Sequence, residues 1–373
     1  MKKEMTLLID NQNSLYNFTN SLLKYFQAET FHPSIKEVDE LLKKTNKKRI
    51  ACFLFDGMGE YILNCHKRIT KYILKHKYIT IQSTNPPTTV AATTAFLTGK
   101  SPIETGYLGW TQYLDETGPL IDVFPGKNAF TGEKIDHPSI TEKTTKTNID
   151  ELLKKVGVEA STQFSYPVDK VNGAKSIEEV FLKANDYFKD PKHQFLYSYH
   201  VSPDNLIHGS GVKGKDVHKV LKEIVKYLKK FVKKHPDILV FSFADHGLID
   251  VLYRDIVKIP GLVDCLEKPF AIEGRTASFF VKKGKEQEFE ENFRHYFPYF
   301  VLLKMDEALK MNFFGDGEMN PIDRFSFGNY LAIAKKDEVL FDSRYKKEDD
   351  ILFAHHAGNT EREKDICLSA YNN

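Results

Sequence analysis

The chain has 373 residues, 41% hydrophobic and 28% charged, and its 53 Lys+Arg against 51 Asp+Glu leave a formal net charge of +2. This composition fits one large globular domain, or a core with an insertion, that buries a sizeable core without disulfides or a structural metal. The near balance of charge excludes the basic excess expected of a protein that binds a nucleic-acid polymer or a membrane surface.

In chain order, the opening Met1–Asp10 carries only a short apolar run and lacks the stretch of a secretion signal. No segment approaches the ~18 consecutive apolar residues of a membrane span. Short apolar runs then alternate with amphipathic helical stretches, which predicts an α/β fold with a mostly parallel sheet flanked by helices. The clearest strands are Arg49–Phe55, Ile79–Gln82, Gln194–Tyr199 and Ile238–Ala244. The clearest helix runs from about Asp216 to Lys233, where apolar residues recur at i, i+3, i+4 and i+7 and lysines take the other face. Residues 107–147, rich in Gly, Thr, Pro and Asp, predict an ordered loop or small cap. A strand, helix, strand, short helix and strand between Gly274 and Lys335 predict a compact α+β unit inserted at residues 270–338. The core then comprises residues 1–260 and 340–373. The four cysteines, Cys52, Cys65, Cys265 and Cys367, are scattered without a C-x-x-C pair, which fits free thiols in a reducing, cytoplasmic setting.

The residues that can carry chemistry lie at strand ends, where ligands bind in open α/β sheets. Asp56-Gly57 follows the first strand; taken alone, Asp-Gly is an ordinary turn. Asp245-His246-Gly247 follows a later one, and an adjacent carboxylate and imidazole read equally as a helix cap with a surface His or as a pair of metal ligands. Asp204 and His208 are four residues apart, so one helical turn puts both on one face. His355-His356 follows an apolar strand near the C-terminus. After Pro86-Pro87, an Ala-rich helix places Thr88 or Thr89 at its N-terminus. There a threonine is either an N-cap or a nucleophile whose phosphorylated form meets the free N–H groups. Together, three carboxylates, several imidazoles and a hydroxyl at strand ends are what a two-metal hydrolase needs.

These residues, in this order, resemble the alkaline phosphatase superfamily, and within it the type I phosphodiesterase/nucleotide pyrophosphatase branch. The resemblance implies an alkaline-phosphatase-like core. The family's nucleophile segment ends in a Thr-Gly nine residues on, so Thr98-Gly99 selects Thr89, with Thr88 as runner-up. The family's Asp-Gly, Asp-x-x-x-His, Asp-His-Gly and late His-x-Gly motifs match Asp56-Gly57, Asp204/His208, Asp245-His246-Gly247 and His356-Ala357-Gly358. By that resemblance one metal is held by Asp204, His208 and His356. The other is held by Asp56, Asp245, His246 and the Thr89 oxygen. Zinc is the first choice because of the imidazoles, with manganese the alternative because carboxylates are half the ligands other than Thr89.

Two departures bear on specificity. The family's Asn that contacts a phosphate oxygen, 21 residues after the nucleophile, is Trp110 here, a residue suited to stacking a base or sugar or to walling the pocket. The Gly before the paired His is Ile207. No sulfatase motif surrounds any cysteine, and the only candidate for the arginine with which phosphomonoesterases grip their extra charge is Arg275. The expected activity is therefore cleavage of a phosphodiester or pyrophosphate bond, in a small phosphorylated substrate such as a nucleotide, through a phosphothreonine at Thr89. The alternatives are a phosphomonoesterase or phosphonate hydrolase on the same fold, and a non-catalytic metal-binding partner protein. Oligomeric state stays open.

Overall fold

The computed structural model describes residues 10, 12–135, 148–164, 173–345 and 351–372. Its first strands are β1 (Arg49–Phe55), β2 (Lys77–Gln82), β3 (Thr111–Tyr113), β4 (Leu120–Asp122), β5 (Lys127–Asn128), β6 (Glu159–Phe164), β7 (His193–His200) and β8 (Ile238–Phe243). Then come β9 (Ile249–Asp250), β10 (Leu252–Asp255), β11 (Leu266–Ile272), β12 (Thr276–Val281), β13 (Phe300–Lys304), β14 (Tyr330–Ala334), β15 (Glu338–Phe341), β16 (Ala354–His355) and β17 (Asp365–Tyr371).

The main sheet has the order β2-β17-β8-β1-β7-β6. The β8-β1-β7-β6 pairings are parallel, and β17 runs antiparallel between β2 and β8. This is the α/β sheet flanked by helices that the sequence predicts. β1 is a nearly continuous apolar run because both its faces are covered, as expected of a central parallel strand. On one face Phe53 packs on Phe181 and Phe231, at 4.8 and 5.2 Å between ring centroids, from the helices Ile177–Tyr187 and Lys215–Lys234. The latter buries Val217, Val220, Leu221, Ile224, Val225, Leu228, Phe231 and Val232 and turns its lysines outward. On the other face Phe241 and Phe243 meet Phe18 of the helix Leu15–Tyr25. Phe96 of the helix Thr89–Thr98 joins that layer.

A second, seven-stranded sheet has the order β13-β14-β12-β11-β3-β4-β5. Three of its strands, β12, β13 and β14, follow Gly274 together with the helix Glu286–Tyr296, and β11 precedes them. The apolar cluster beneath them reaches back to Ile256, Leu262 and Cys265. Residues 107–147 differ from the loop or cap expected of them: β3, β4 and β5 extend this same sheet, with Thr111 paired to Ile272 of β11. Strands of two or three residues show no alternation to read, and their pairing is fixed by a partner about 160 residues away. The remainder of that segment, 136–147, lies outside the described residues. Among the described residues, no helix is long and apolar enough to cross a membrane.

Candidate metal centre and active site

Parallel pairing brings the carboxyl ends of β1, β7 and β8 side by side, and the predicted residues follow at once. The Asp56 N–H donates to the His200 carbonyl at the end of β7, and the Asp204 N–H donates to the Asp56 carbonyl, both at 2.9 Å. Gly57 holds φ +70°, and a β-carbon there would stand 2.6 Å from Leu248 Cδ1 and 2.9 Å from Asp204 Cβ, so any side chain collides as well as strains. Its N–H donates to Asp245 Oδ1 at 3.0 Å, which orients that carboxylate.

His208 lies on the short helix Asp204–Ser210 and His356 follows β16. Asp204, His208 and His356, the three residues expected for one metal, bring one ligand atom each within 4.8 Å of one another. A second group meeting the same limit is Asp56, Asp204 and His246, in which Asp204 stands where Asp245 was expected. Asp245 is nevertheless adjacent, its Oδ2 lying 3.6 Å from His246 Nε2. Asp204 thus faces both groups.

Thr89 begins the helix Thr89–Thr98. Its Oγ1 sits 3.0 Å from His246 Nε2 and 3.4 Å from each Asp56 oxygen. Thr88, the runner-up, occupies the N-cap but turns its hydroxyl away to Glu273 Oε1 at 2.6 Å. The structure therefore brings Thr89, and not Thr88, to the cluster.

The donor set fits divalent cations. His208 Nδ1 lies 2.8 Å from the Ala354 carbonyl, and His246 Nδ1 lies 3.1 Å from the Gly247 carbonyl. Assigning the ring proton to Nδ1 in each case leaves the Nε2 lone pairs facing Asp204 at 3.3 Å and Asp56 at 3.4 Å. Acceptor against acceptor calls for a positive charge between them. Asp204 Oδ1, Asp245 Oδ2 and His356 Nδ1 are buried without a hydrogen-bond partner among the described residues. Burial, and then the neighbouring Asp245 and Asp204, drive the Asp56 carboxyl well above the usual range. Burial likewise raises Asp245 and pushes His356 well below an ordinary histidine, with His246 and the other rings adding to the latter. Burial opposes charge on the His208 ring, but the Asp204 carboxylate outweighs it and holds His208 above its ordinary value.

Several supporting residues gave no sequence signal. Tyr199 donates its hydroxyl to Asp56 Oδ2 at 2.5 Å, and Ser83 donates to the Asp245 carbonyl at 2.5 Å. Arg275 does not reach over the site as expected. It is fully buried and grips Glu363 through Nε and Nη2 at 2.7 and 2.8 Å. Glu363 Oε1 also accepts the Gly358 N–H, and the guanidinium lies so close to Gly358 that a β-carbon there would stand 2.4 Å from Nη2. Arg275 thus braces the loop that carries His356, where Ala357 holds φ +75°.

Beside the cluster opens a cavity of about 440 Å³ lined by Thr89, Asp204, His208 and His356 and walled by aromatic residues. Trp110 is on that wall, 38% exposed, with Phe124 at 6.5 Å between ring centroids. His355 also lines it, while the metal-ligand geometry selects His356 of the pair.

Comparison with known proteins identifies the family. The family model "Type I phosphodiesterase / nucleotide pyrophosphatase" matches residues 51–296. A comparison with curated proteins finds no match. Among solved structures, murine ectonucleotide pyrophosphatase/phosphodiesterase 5 superimposes with a TM-score of 0.64 at 16% identity, covering 87% of this chain and 88% of that one. An inactive variant of the murine protein, in complex with AMP, superimposes equally well. The human counterpart gives a TM-score of 0.63 at 16% identity, covering 87% of each chain. The chain belongs to the type I phosphodiesterase/nucleotide pyrophosphatase family, a metal-dependent branch of the alkaline phosphatase superfamily that hydrolyses phosphoric esters.

Proposed function

We propose that the chain is a two-metal phosphodiesterase in which Thr89 is the nucleophile, and that it acts on a small phosphorylated substrate, with nucleotides the leading class. The observation that carries this reading is the Thr89 hydroxyl standing among Asp56, His246 and the neighbouring ligands while Thr88 turns away. Asp204, His208 and His356 would hold one cation, and Asp56, Asp245 and His246 the other, with Asp204 close to both. Zinc suits the three imidazoles, and manganese is the alternative. When bound, such ions polarise phosphoryl oxygens and ease deprotonation of a hydroxyl.

The chain's own residues do the rest. Thr89 Oγ1 forms a bond to phosphorus as the P–O bond to the alcohol or phosphate leaving group breaks, and the threonine proton departs with that group, leaving a phosphothreonine. Water then attacks phosphorus, the threonine oxygen departs and regains a proton, and two easier steps replace one hard one. At the first position of its helix, Thr89 carries the phosphoryl group to the positive end of the helix dipole. Thr88 does not cap that helix, so its hydroxyl does not compete for the first-turn N–H groups.

The aromatic cavity supports a substrate with a flat or apolar group beyond the phosphorus. The AMP seen in the murine protein is consistent with a nucleotide. Cys52, Cys65, Cys265 and Cys367 are free thiols, which supports placing the protein in a reducing compartment such as the cytoplasm.

The test is hydrolysis of bis(p-nitrophenyl) phosphate by Thr89→Ala beside the wild type, with metal content measured on the same samples. The variant should lose at least about a thousandfold in turnover, as loss of an attacking group does, yet retain most of its metal. Undiminished turnover in the variant would remove Thr89 from the chemistry.

A further inference from the structure

The helix Asp204–Ser210 presents more to the cavity than its two candidate cation ligands. At 3.6 residues per turn, His208 stands about 40° around the axis from Asp204, and Asn205 about 100° in the same sense. Ile207 falls about 60° to the other side. It is fully buried and marks the face turned to the core. The side chain beyond the ligands on the open side of the helix is therefore Asn205, which is exposed and lines the cavity with Thr89, Asp204 and His208.

The turn before the helix fixes how the Asn205 amide is held. The Ser202 N–H donates to His200 Nδ1 at 3.0 Å, which ties that turn to the end of β7. Ser202 is buried, and its hydroxyl donates to Asn205 Oδ1 at 2.8 Å. That hydroxyl has no other acceptor among the described residues, which assigns the oxygen of the amide, and not its nitrogen, to the Ser202 side. Asn205 Nδ2 then keeps both of its protons without an acceptor among the described residues.

We propose that Asn205 is a further catalytic residue, whose side-chain amide donates a hydrogen bond to a non-bridging oxygen of the phosphoryl group while Thr89 attacks. This rests on the phosphodiesterase reading above. No lysine or arginine lines the cavity among the described residues, so a phosphoryl oxygen turned away from the cations is met there by neutral donors. A donor already held in place by Ser202 stabilises charge as it develops, with no reorganisation at the moment of reaction. Being uncharged, the amide does so without competing with the cations for Asp204 and His208 beside it.

The experiment compares Asn205→Ala and Ser202→Ala with the wild type on bis(p-nitrophenyl) phosphate, with circular dichroism and metal content read on the same samples. Asn205→Ala should lower kcat/KM about tenfold to a hundredfold, the range for one hydrogen bond to a charged acceptor, with fold and metal content unchanged. Ser202→Ala keeps the donor but frees the amide to turn, and should lose less. Contact with one particular oxygen is read with the separated Rp and Sp isomers of methyl p-nitrophenyl phosphorothioate, in which sulfur, a weak acceptor, replaces one non-bridging oxygen or the other. In Asn205→Ala the isomer with oxygen toward the amide should lose as much as the parent diester and its mirror partner little, so the preference between isomers moves about tenfold or more. A residue that merely shapes the helix would slow both isomers alike. Undiminished turnover of the parent diester in Asn205→Ala, or equal losses on the two isomers, would overturn the assignment. Calorimetric affinity of the metal-loaded proteins for dimethyl phosphate separates this claim from the one beneath it. A wild type that binds this anion more tightly than Asn205→Ala does, yet cleaves no ester, would overturn the phosphodiesterase reading and leave the Asn205 contact standing. Equal binding by the two proteins without cleavage would overturn both.

Discussion

Tyr199 brings a hydroxyl to Asp56 inside a fully buried cluster, so its hydrogen bond is made to a group for which no water competes. Bonds to charged acceptors contribute about 1.5–3 kcal/mol. Tyr199→Phe should therefore lower kcat/KM on a diester by about tenfold to a hundredfold, with circular dichroism unchanged; wild-type kinetics in that variant would mean Asp56 is oriented by its other neighbours. His200 makes a separate prediction about pH. Burial lowers its pKa from 6.5 to about 4. Its Nδ1 accepts the Ser202 N–H at 3.0 Å, as only an unprotonated nitrogen can. The unfolded chain takes up a proton below pH 6.5 that the folded chain refuses until about pH 4, so this contribution is complete above 6.5 and is lost on acidification. By pH 5 the loss reaches about 2 kcal/mol. Urea unfolding at pH 7 and pH 5 should show His200→Asn losing less stability than the wild type over that interval, and parallel losses would contradict the assignment.

Individual elements were legible in the sequence to very different degrees. β1 matches its expected bounds because a strand covered on both faces is an unbroken apolar run, and the helix Lys215–Lys234 is within one residue because eight buried positions keep strict helical spacing. β3, β4 and β5 were not legible, since strands of two or three residues among Gly, Pro and Asp acquire their identity only by pairing, β3 with β11, β4 with β3 and β5 with β4. Arg275 shows the same contrast. Its position at the start of a strand could be anticipated (it immediately precedes β12), but its partner Glu363 is 88 residues away and decides that it braces the His356 loop. Arg275→Met removes one half of this fully buried pair and should cost about 3–5 kcal/mol, because Glu363 is left buried and unpaired. Chemical denaturation checks this, and a loss under about 1 kcal/mol would mean the pair behaves as an exposed one. Arg275→Met/Glu363→Leu should recover most of the loss.

For the molecule as a whole, the candidate cation ligands gather at the main sheet, and the cavity beside them takes part of its wall from the second. The carboxyl ends of β1, β7 and β8 supply Asp56, Asp204, Asp245 and His246 from the main sheet, and their strand-end positions made them readable without the fold. The second sheet brings Ile272, Glu273 and Trp110 to the cavity wall, and Glu273 accepts from Thr88 across a sequence separation of 185 residues, so no local pattern marked it. The central claim is the cation site, in which buried acceptors from four separate segments point at one another. The most direct test of that claim is the metal content of the purified chain by elemental mass spectrometry, before and after dialysis against zinc or manganese. About two divalent ions per chain are expected, falling to about one or fewer in Asp204→Ala, since Asp204 faces both groups. A value that stays near zero after dialysis against either metal would contradict the account.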